Sequence, residues 1–258
     1  MTDQVLVPTS ADEAVSLYGS GEGLTVFAGG TILLPEIATG KLRPERALML
    51  HKAGLDTIRT ENGRTVIGAM VPVAALVDHP IDLLAQTARH VADAEVRRNA
   101  TVGGNICAPP GPDAQRGDLA APLMALGARV RSAGAGGERT EPIEDFLAGD
   151  RSGRLVLEVE LDDVERRTAA AGLRRRHAHS YAVAAVVGAV RVDGSDLRLA
   201  AAGVAPTAVR LRAVEESRDA GDVLRDVQPV DDAVASAAYR SSILPKLVRE
   251  VLDRLELK

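Results

Sequence analysis

Two glycine pairs constrain the folding of this 258-residue chain more than any other feature. The first pair, Gly29-Gly30, follows the apolar, β-branched run 24–27, which predicts a buried strand, and precedes residues 32–37, which predict a helix. Thr31 is the predicted N-cap of that helix, because its hydroxyl can accept a hydrogen bond from a first-turn amide. Since they lack a Cβ, the two glycines permit positive φ angles and a close approach of another group to the backbone.

The second pair lies in a similar stretch, Thr101-Val102-Gly103-Gly104-Asn105. Successive backbone amides at the start of a helix form a concavity suited to a phosphate group. A single Gly-Gly is more often a tight turn than an anion site. Two such pairs in similar contexts favour an anionic ligand that both turns share.

Charge and cysteine content exclude several classes of protein. The net charge of −5 makes nucleic acid a poor general partner. The only cysteine, Cys107, can form no disulfide within the chain, and an iron–sulfur cluster needs several thiolates. The N-terminus lacks the pattern of a signal peptide, and the longest apolar run, 181–190, is too short to span a membrane. We therefore expect a cytoplasmic protein without a membrane span.

Local signals divide the chain into three units, predicted at residues 1–54, 55–166 and 167–258. The first unit opens with a capping box, Ser10-Ala11-Asp12-Glu13, whose helix ends at Gly19. The second contains predicted strands at 65–69 and 155–161 and a predicted helix at 82–94. The polar, arginine-rich residues 162–176 indicate a boundary before the third unit.

The third unit is predicted to form an antiparallel sheet with helices on one face. Two apolar runs, 181–192 and 197–204, flank Asp193-Gly194-Ser195, which is a hairpin signal. Residues 229–239 and 243–255 are predicted helices, the second with a clear apolar stripe.

Seven stretches then stand out in order: FAGGTILLPEI, TVIGA, VRRNATVGGN, GDLAAPLMALGA, RTEPIEDFLAG, AAAGVAPTAVRLRAVE and ASAAYRSSILPKLVREVL. Together they resemble the FAD-binding medium subunit of molybdenum hydroxylases, the family of carbon monoxide dehydrogenase and xanthine dehydrogenase. The resemblance covers nearly the whole chain, and its most specific parts are the paired AGG and GGN stretches. It implies an α+β fold: a two-lobed FAD-binding domain of the vanillyl-alcohol-oxidase (PCMH) type plus a small C-terminal α+β domain with an antiparallel sheet.

The resemblance also implies the cofactor and the residues that hold it. In the family both glycine turns grip the FAD pyrophosphate, an acidic residue contacts the flavin nucleotide, and an aromatic residue can lie near the flavin. Carried over to this sequence, the cofactor-binding residues are Ala28, Gly29, Gly30, Thr31, Ile32, Thr101, Gly103, Gly104, Asn105, Asp118 and Tyr181.

Two of these residues also have ordinary structural interpretations. Asp118 is equally suited to cap a helix at 119–126, and Tyr181 to fill a core position. The chain also departs from the family in the third unit, where Gly172-Leu173-Arg174-Arg175-Arg176 has no lysine ahead of its arginines. An arginine run is most often a solvated face, and a partner-docking site is the alternative.

The implied function is electron transfer. No nucleophile, base and acid stand together in the sequence, which agrees with chemistry that belongs to a cofactor. Electrons would come from iron–sulfur centres on a small partner subunit and leave through FAD to an acceptor, while a large partner subunit would bind molybdopterin. The alternatives are a self-contained FAD-dependent oxidase and a non-catalytic scaffold subunit that has lost FAD.

Overall fold

The computed structural model describes residues 4–109, 117–174 and 181–257. The predicted α+β class is confirmed, because the strands form three separate sheets with helices packed on them. Three hydrophobic clusters form the core; one lies within the last sheet, and the other two each combine residues of two neighbouring sheets. In the described part of the chain, no helix is both long and apolar enough to cross a membrane.

The N-terminal lobe contains a small parallel sheet with the strand order β1-β3-β2. Its elements are β1 (Gln4–Leu6), α1 (Ala11–Tyr18), β2 (Leu24–Phe27), α2 (Leu33–Ala38) and β3 (Arg46–Met49). The predicted capping box is confirmed: the Ser10 hydroxyl accepts from the Glu13 amide at 3.1 Å, and the Glu13 carboxylate accepts from the Thr9 amide at 2.7 Å. Gly19, at φ +56°, ends the helix as predicted.

The second lobe contains a five-stranded antiparallel sheet with the order β4-β5-β8-β6-β7. Its strands are β4 (Ile58–Glu61), β5 (Arg64–Gly68), β6 (Arg129–Gly134), β7 (Gly137–Pro142) and β8 (Leu155–Asp162). Its helices are α3 (Asp82–His90), α4 (Ala94–Asn99), α5 (Val102–Ile106), α6 (Ala120–Ala125) and α7 (Ile143–Ala148). The central strand β8 is buried on both faces, so its side chains do not alternate between core and solvent.

The C-terminal unit is a four-stranded antiparallel sheet with the order β12-β11-β10-β9. Its elements are β9 (Arg166–Arg174), β10 (Ala182–Arg191), β11 (Arg198–Ala202), β12 (Val209–Arg210), α8 (Arg212–Ser217), α9 (Val223–Asp226) and α10 (Ala237–Arg254). The predicted hairpin is confirmed, since β10 and β11 pair across a turn in which Gly194 has φ +81°.

Several local predictions are wrong. Residues 229–236 are not helical, because α10 begins only after its N-cap Ser236. The helix at 82–94 ends at His90, and Ala92 has φ +38°. Within the predicted boundary segment 162–176, for which no strand was expected, Arg166–Arg174 forms β9, an edge strand, and the polar residues of an edge strand can face solvent.

The two predicted helix caps at the glycine turn and at Asp118 are also wrong. Helix α2 has Ile32 as its N-cap and α6 has Leu119, and neither position makes a side-chain cap bond. Thr31 and Asp118 therefore lie one residue too early to cap, which leaves both side chains available for other contacts.

The first lobe packs against the second through the cluster that holds its sheet in place. Leu48 and Leu50 of the first lobe share this cluster with Leu155 and Leu157 of β8. The sheet of the first lobe therefore packs against the N-terminal end of β8. This packing brings the loop that follows β2 to the loops of the second lobe.

Candidate functional site

A cavity of about 580 Å³ lies where the loops of the two lobes meet, within the range of small-molecule sites. All the residues predicted to bind a cofactor line this one cavity: Ala28, Gly29, Gly30, Thr31, Ile32, Thr101, Gly103, Gly104, Asn105, Asp118 and Tyr181. They come from both lobes and, in the case of Tyr181, from the position directly before β10. Tertiary folding has thus gathered residues that are far apart in the sequence.

The first glycine turn presents unoccupied backbone donors to the cavity. Within the described residues, the amides of Gly29, Gly30, Thr31, Ile32 and Leu33 donate to no protein acceptor. Gly30 has φ +70°, a left-handed conformation that lets the chain turn from β2 into α2. Consecutive free amides in such a turn form a concave anion-binding nest.

The two glycine turns are neighbours. A Cβ placed on Gly104 would lie 3.6 Å from the Cβ of Ala28, which is ordinary van der Waals contact. The two turns therefore form adjoining parts of the same wall, as a shared ligand requires.

The second turn differs from the first in its hydrogen bonding, because its amides are already occupied. The amides of Gly103 and Asn105 donate to the carbonyls of Ala69 and Thr101, both at 2.8 Å. The amide of Gly104 donates to the Thr101 hydroxyl at 3.1 Å. A Cβ on Gly103 would lie 2.9 Å from the Ala69 carbonyl oxygen. In this turn the glycine serves close backbone packing, and the amides are not free for a ligand.

Asn105 supplies a side-chain donor in place of those amides. Its Oδ1 accepts from the Leu119 amide at 2.9 Å, and this contact identifies the oxygen because a backbone N–H can only donate. The residue is 9% exposed, and among the described residues its Nδ2 has no acceptor. An amide nitrogen that lies on a cavity wall and bonds to no described protein group is open to a ligand acceptor.

Asp118 and Arg174 form a charged pair on the same wall. The Arg174 Nη2 lies 4.0 Å from Asp118 Oδ1, and its Nη1 donates to the His90 carbonyl at 3.4 Å. Burial raises the pKa of Asp118 to about 6, and the neighbouring Arg174 limits that rise. Tyr181, 38% exposed, also lines this cavity, directly before β10, and does not lie in the core.

Sequence reasoning missed several residues of the wall. Arg174 belongs to the arginine run predicted as a solvated face, with partner docking as the alternative, but it lines the cavity, while Arg175 and Arg176 lie outside the described residues. Arg151 and Arg154 come from the turn before β8, which carries turn residues but no signal of a site. An apolar wall completes the cavity, formed by Val26, Leu50, Met70, Leu155 and Val156.

The chemistry of these groups fits an anionic dinucleotide. Among the described residues, three arginines and one aspartate line the cavity, so their formal charge is positive. Free amides suit a diphosphate, and the apolar wall suits a planar ring. The described residues contain no group of three or more histidine, cysteine or acidic side chains that could hold a metal. Cys107 also lines the cavity, where the residue is exposed.

Comparison with known proteins agrees with this geometry. Residues 1–161 match the model of a family described as the FAD binding domain in molybdopterin dehydrogenase. The chain is 29% identical to the carbon monoxide dehydrogenase medium chain of Hydrogenophaga pseudoflava, over 95% of this chain and 94% of that one. It is 30% identical to the uncharacterized protein YgfM of Escherichia coli K12, over 97% and 95% of the two chains.

The fold also matches a solved structure along its whole length. A chain in the structure of carbon monoxide dehydrogenase from Hydrogenophaga pseudoflava, in the form that lacks the Mo-pyranopterin moiety, superposes with a TM-score of 0.87. The match covers 98% of this chain and 96% of that chain at 27% identity.

Proposed function

The chain belongs to the family of FAD-binding subunits of molybdenum hydroxylases, and we propose that it holds FAD in the cavity between its lobes, in a cytoplasmic complex. It is an oxidoreductase subunit whose partners are a molybdopterin-binding large subunit and an iron–sulfur small subunit. The division into units at 1–54, 55–166 and 167–258 remains part of the proposal. The cytoplasmic location is supported by the single cysteine.

When bound, FAD supplies the redox chemistry of the subunit, since a flavin accepts electrons from one-electron centres and passes them to a separate acceptor. This chain cannot bind an iron–sulfur cluster with its one cysteine, so the clusters belong to the partner. The residues of this chain therefore bind the cofactor, orient it and exclude water from part of the cavity.

The observation that carries the proposal is the run of free amides from Gly29 to Leu33 on the cavity wall. Hydrogen bonds from backbone amides to an anionic oxygen are shorter and roughly twice as strong as those between neutral groups. We assign the pyrophosphate to this nest. The Nδ2 of Asn105 is the donor that we assign to it from the second turn.

The other residues of the cavity wall differ in polarity, and we use this difference to assign the two ends of the cofactor. We assign Asp118, Arg174 and Tyr181 to one end of the ligand, where a carboxyl and a guanidinium offer an acceptor and donors to polar ring or ribityl groups. The apolar wall at Val26 and Leu155 would exclude water from the rest.

The test is a pair of glycine variants with the same backbone strain. Gly30 and Gly40 have φ of +70° and +71° and flank the same helix, but only Gly30 lines the cavity. A Cβ on Gly40 would meet nothing within 4 Å. We expect the Gly30→Val chain to lose its flavin absorbance, because a Cβ on Gly30 would lie 3.0 Å from the Leu34 Cδ1 and the branched side chain must shift the turn that carries the nest. The Gly40→Val chain should keep it.

Visible absorbance of the purified full-length chains measures flavin content directly. Flavin content that is unchanged in Gly30→Val would show that the nest is assigned to the wrong ligand. Equal losses in both variants would trace the effect to backbone strain alone and would also contradict the assignment.

A further inference from the structure

The hairpin that carries Tyr181 into the cavity contains a β-bulge. Strands β9 and β10 pair Ala182 with Arg174 but Ala184 with Leu173, so Val183 is an extra residue without a partner on β9. The bulge lies at the end of the hairpin where both Arg174 and Tyr181 line the cavity. An inserted residue reverses the alternation of sides for the residues that precede it. The bulge therefore decides which side of the sheet Tyr181 faces.

A buried arginine from a distant helix holds this bulge. Arg240 of α10 is 1% exposed, and its Nε donates to the carbonyl of Val183 at 2.9 Å. Its Nη1 donates to the carbonyls of Val230 and Ala235 at 2.7 and 2.9 Å. Its Nη2 donates to both carboxylate oxygens of Asp232 at 2.9 and 2.8 Å. All the guanidinium donors are used, so the side chain has a single well-defined position.

Asp232 is itself fixed in place. Its Oδ1 accepts from the amides of Val234 and Ala235 at 2.8 and 3.0 Å. Burial alone would raise the pKa of Asp232, but the hydrogen bonds from the Ala235 amide and Arg240 outweigh it and hold the pKa below its usual value. The pair is therefore charged at neutral pH, and its hydrogen bonds are stronger than those between neutral groups.

The backbone next to the bulge is held from a second side. Gly203 has φ +75°, and a Cβ placed on it would lie 2.6 Å from the Ala182 carbonyl oxygen and 3.2 Å from that of Val183. The chain at Gly203 thus packs directly against the bulge. Between Gly203 and Arg240 the bulge has little freedom to slip into regular pairing.

We propose that Arg240 is a positioning residue of the cofactor site. By binding the Val183 carbonyl it maintains the bulge, and the bulge places Tyr181 and Arg174 on the cavity wall. This inference rests on the proposed function, because it concerns the cavity assigned to FAD. Arg240 itself does not line that cavity, so its effect on the cofactor is indirect.

Two substitutions in α10 separate positioning from stability. Arg240→Met keeps the length of the side chain but removes every donor to Val183. Leu244→Ala, one turn further along, is the matched control: Leu244 is fully buried in the C-terminal core, so its truncation destabilises the same helix without touching the bulge. Arg240→Lys retains the charge and one donor group, and it replaces Arg240→Met if that variant does not fold.

The measurements are FAD affinity of the full-length chain, visible circular dichroism of the bound flavin, and thermal stability. We expect Arg240→Met to weaken FAD binding by about tenfold and to alter the visible dichroism, with a partial recovery in Arg240→Lys. Leu244→Ala should lower the melting temperature but leave both flavin signals as in the wild type.

The outcomes distinguish this inference from the function on which it rests. Unaltered affinity and dichroism in the Arg240 variants, with normal binding by the wild type, would overturn the positioning role alone. If the flavin signals changed as much in Leu244→Ala as in Arg240→Met, Arg240 would only stabilise the fold and would have no positioning role. A wild-type chain that binds no FAD would instead contradict the proposed function.

Discussion

Gly29 lies against the backbone of Asn99 so closely that a Cβ on Gly29 would stand 1.9 Å from the Asn99 carbonyl oxygen. The two residues belong to different lobes, and Asn99 ends the helix that precedes the second glycine turn. This contact brings the free amides of the first turn alongside Asn105 and the rest of the second turn. The absence of one side chain thus sets the distance between the two halves of the site.

Gly29→Ala should separate the two turns. Because the obstacle is backbone and cannot rotate away, the lobes must shift, at a cost of about 1–3 kcal/mol of stability or more. We expect FAD affinity to fall at least about tenfold as the nest moves from Asn105. Equilibrium FAD titration and urea unfolding measure the two effects. Gly136→Ala is the control, since only the Arg139 Nη2 lies within 4 Å of its Cβ position, at 3.9 Å. Wild-type affinity in Gly29→Ala would refute the close apposition.

Two substitutions of Asn105 should separate its two hydrogen-bonding roles. Asn105→Asp keeps an acceptor for the Leu119 amide but replaces the Nδ2 donor with an oxygen. Asn105→Ala loses both, which leaves a buried amide unpaired at a cost of about 1–3 kcal/mol. We expect Asn105→Asp to be the more stable of the two and yet the weaker binder of FAD, because a carboxylate repels a diphosphate. The opposite order in affinity would show that Nδ2 does not contact the cofactor.

Asp118 should make the stability of the FAD-free chain depend on pH. Its pKa is about 6 when folded, against about 3.9 when unfolded. Between these values the folded state holds a proton that the unfolded state has lost, so the free energy of unfolding falls as pH rises from about 4 to about 6. Relative to Asp118→Asn, the loss reaches about 3 kcal/mol at neutral pH. Urea unfolding of both chains across this range measures it, and a constant difference would contradict the raised pKa.

Glu158→Gln should weaken the fold without affecting the cofactor. The Glu158 side chain is 9% exposed and pairs with Arg59 at 2.6 Å and Arg131 at 2.8 Å. Burial alone would raise its pKa, but the hydrogen bonds from these arginines outweigh it and lower the pKa. The stabilisation is therefore present at neutral pH and lost as pH falls through the lowered pKa. We expect a loss of about 1–2 kcal/mol, because two charge-assisted hydrogen bonds are lost while Arg59 and Arg131 keep their second partners, Glu61 and Glu138.

FAD affinity is the internal control for this variant, since Glu158 does not line the cavity. It should stay within about twofold of the wild type. A large loss of affinity would show that the charged face of the sheet is coupled to the site, and an unchanged stability would show that solvent screens the pair.

Signals within a few residues predicted much of the fold. The capping box at Ser10, the hairpin turn at Gly194 and the strand before Gly29 all depend on neighbours in the chain, and each is present. Strand β9 escaped detection because an edge strand does not need an apolar pattern. The helix expected at 229–239 is wrong in its first part, where Arg240 donates to the Val230 carbonyl and Asp232 accepts from the amides of Val234 and Ala235.

For the site, the sequence alone identified the residues of the two glycine turns, because glycine pairs and their flanking residues are local patterns. Only the tertiary structure decided what each turn contributes. The amides of the first turn are free because no acceptor among the described residues reaches them, while those of the second bind Ala69 and Thr101. Arg174 and the bulge at Val183 depend on contacts with residues far along the chain. No local pattern encodes such contacts, since they exist only once the lobes and the C-terminal sheet have packed together.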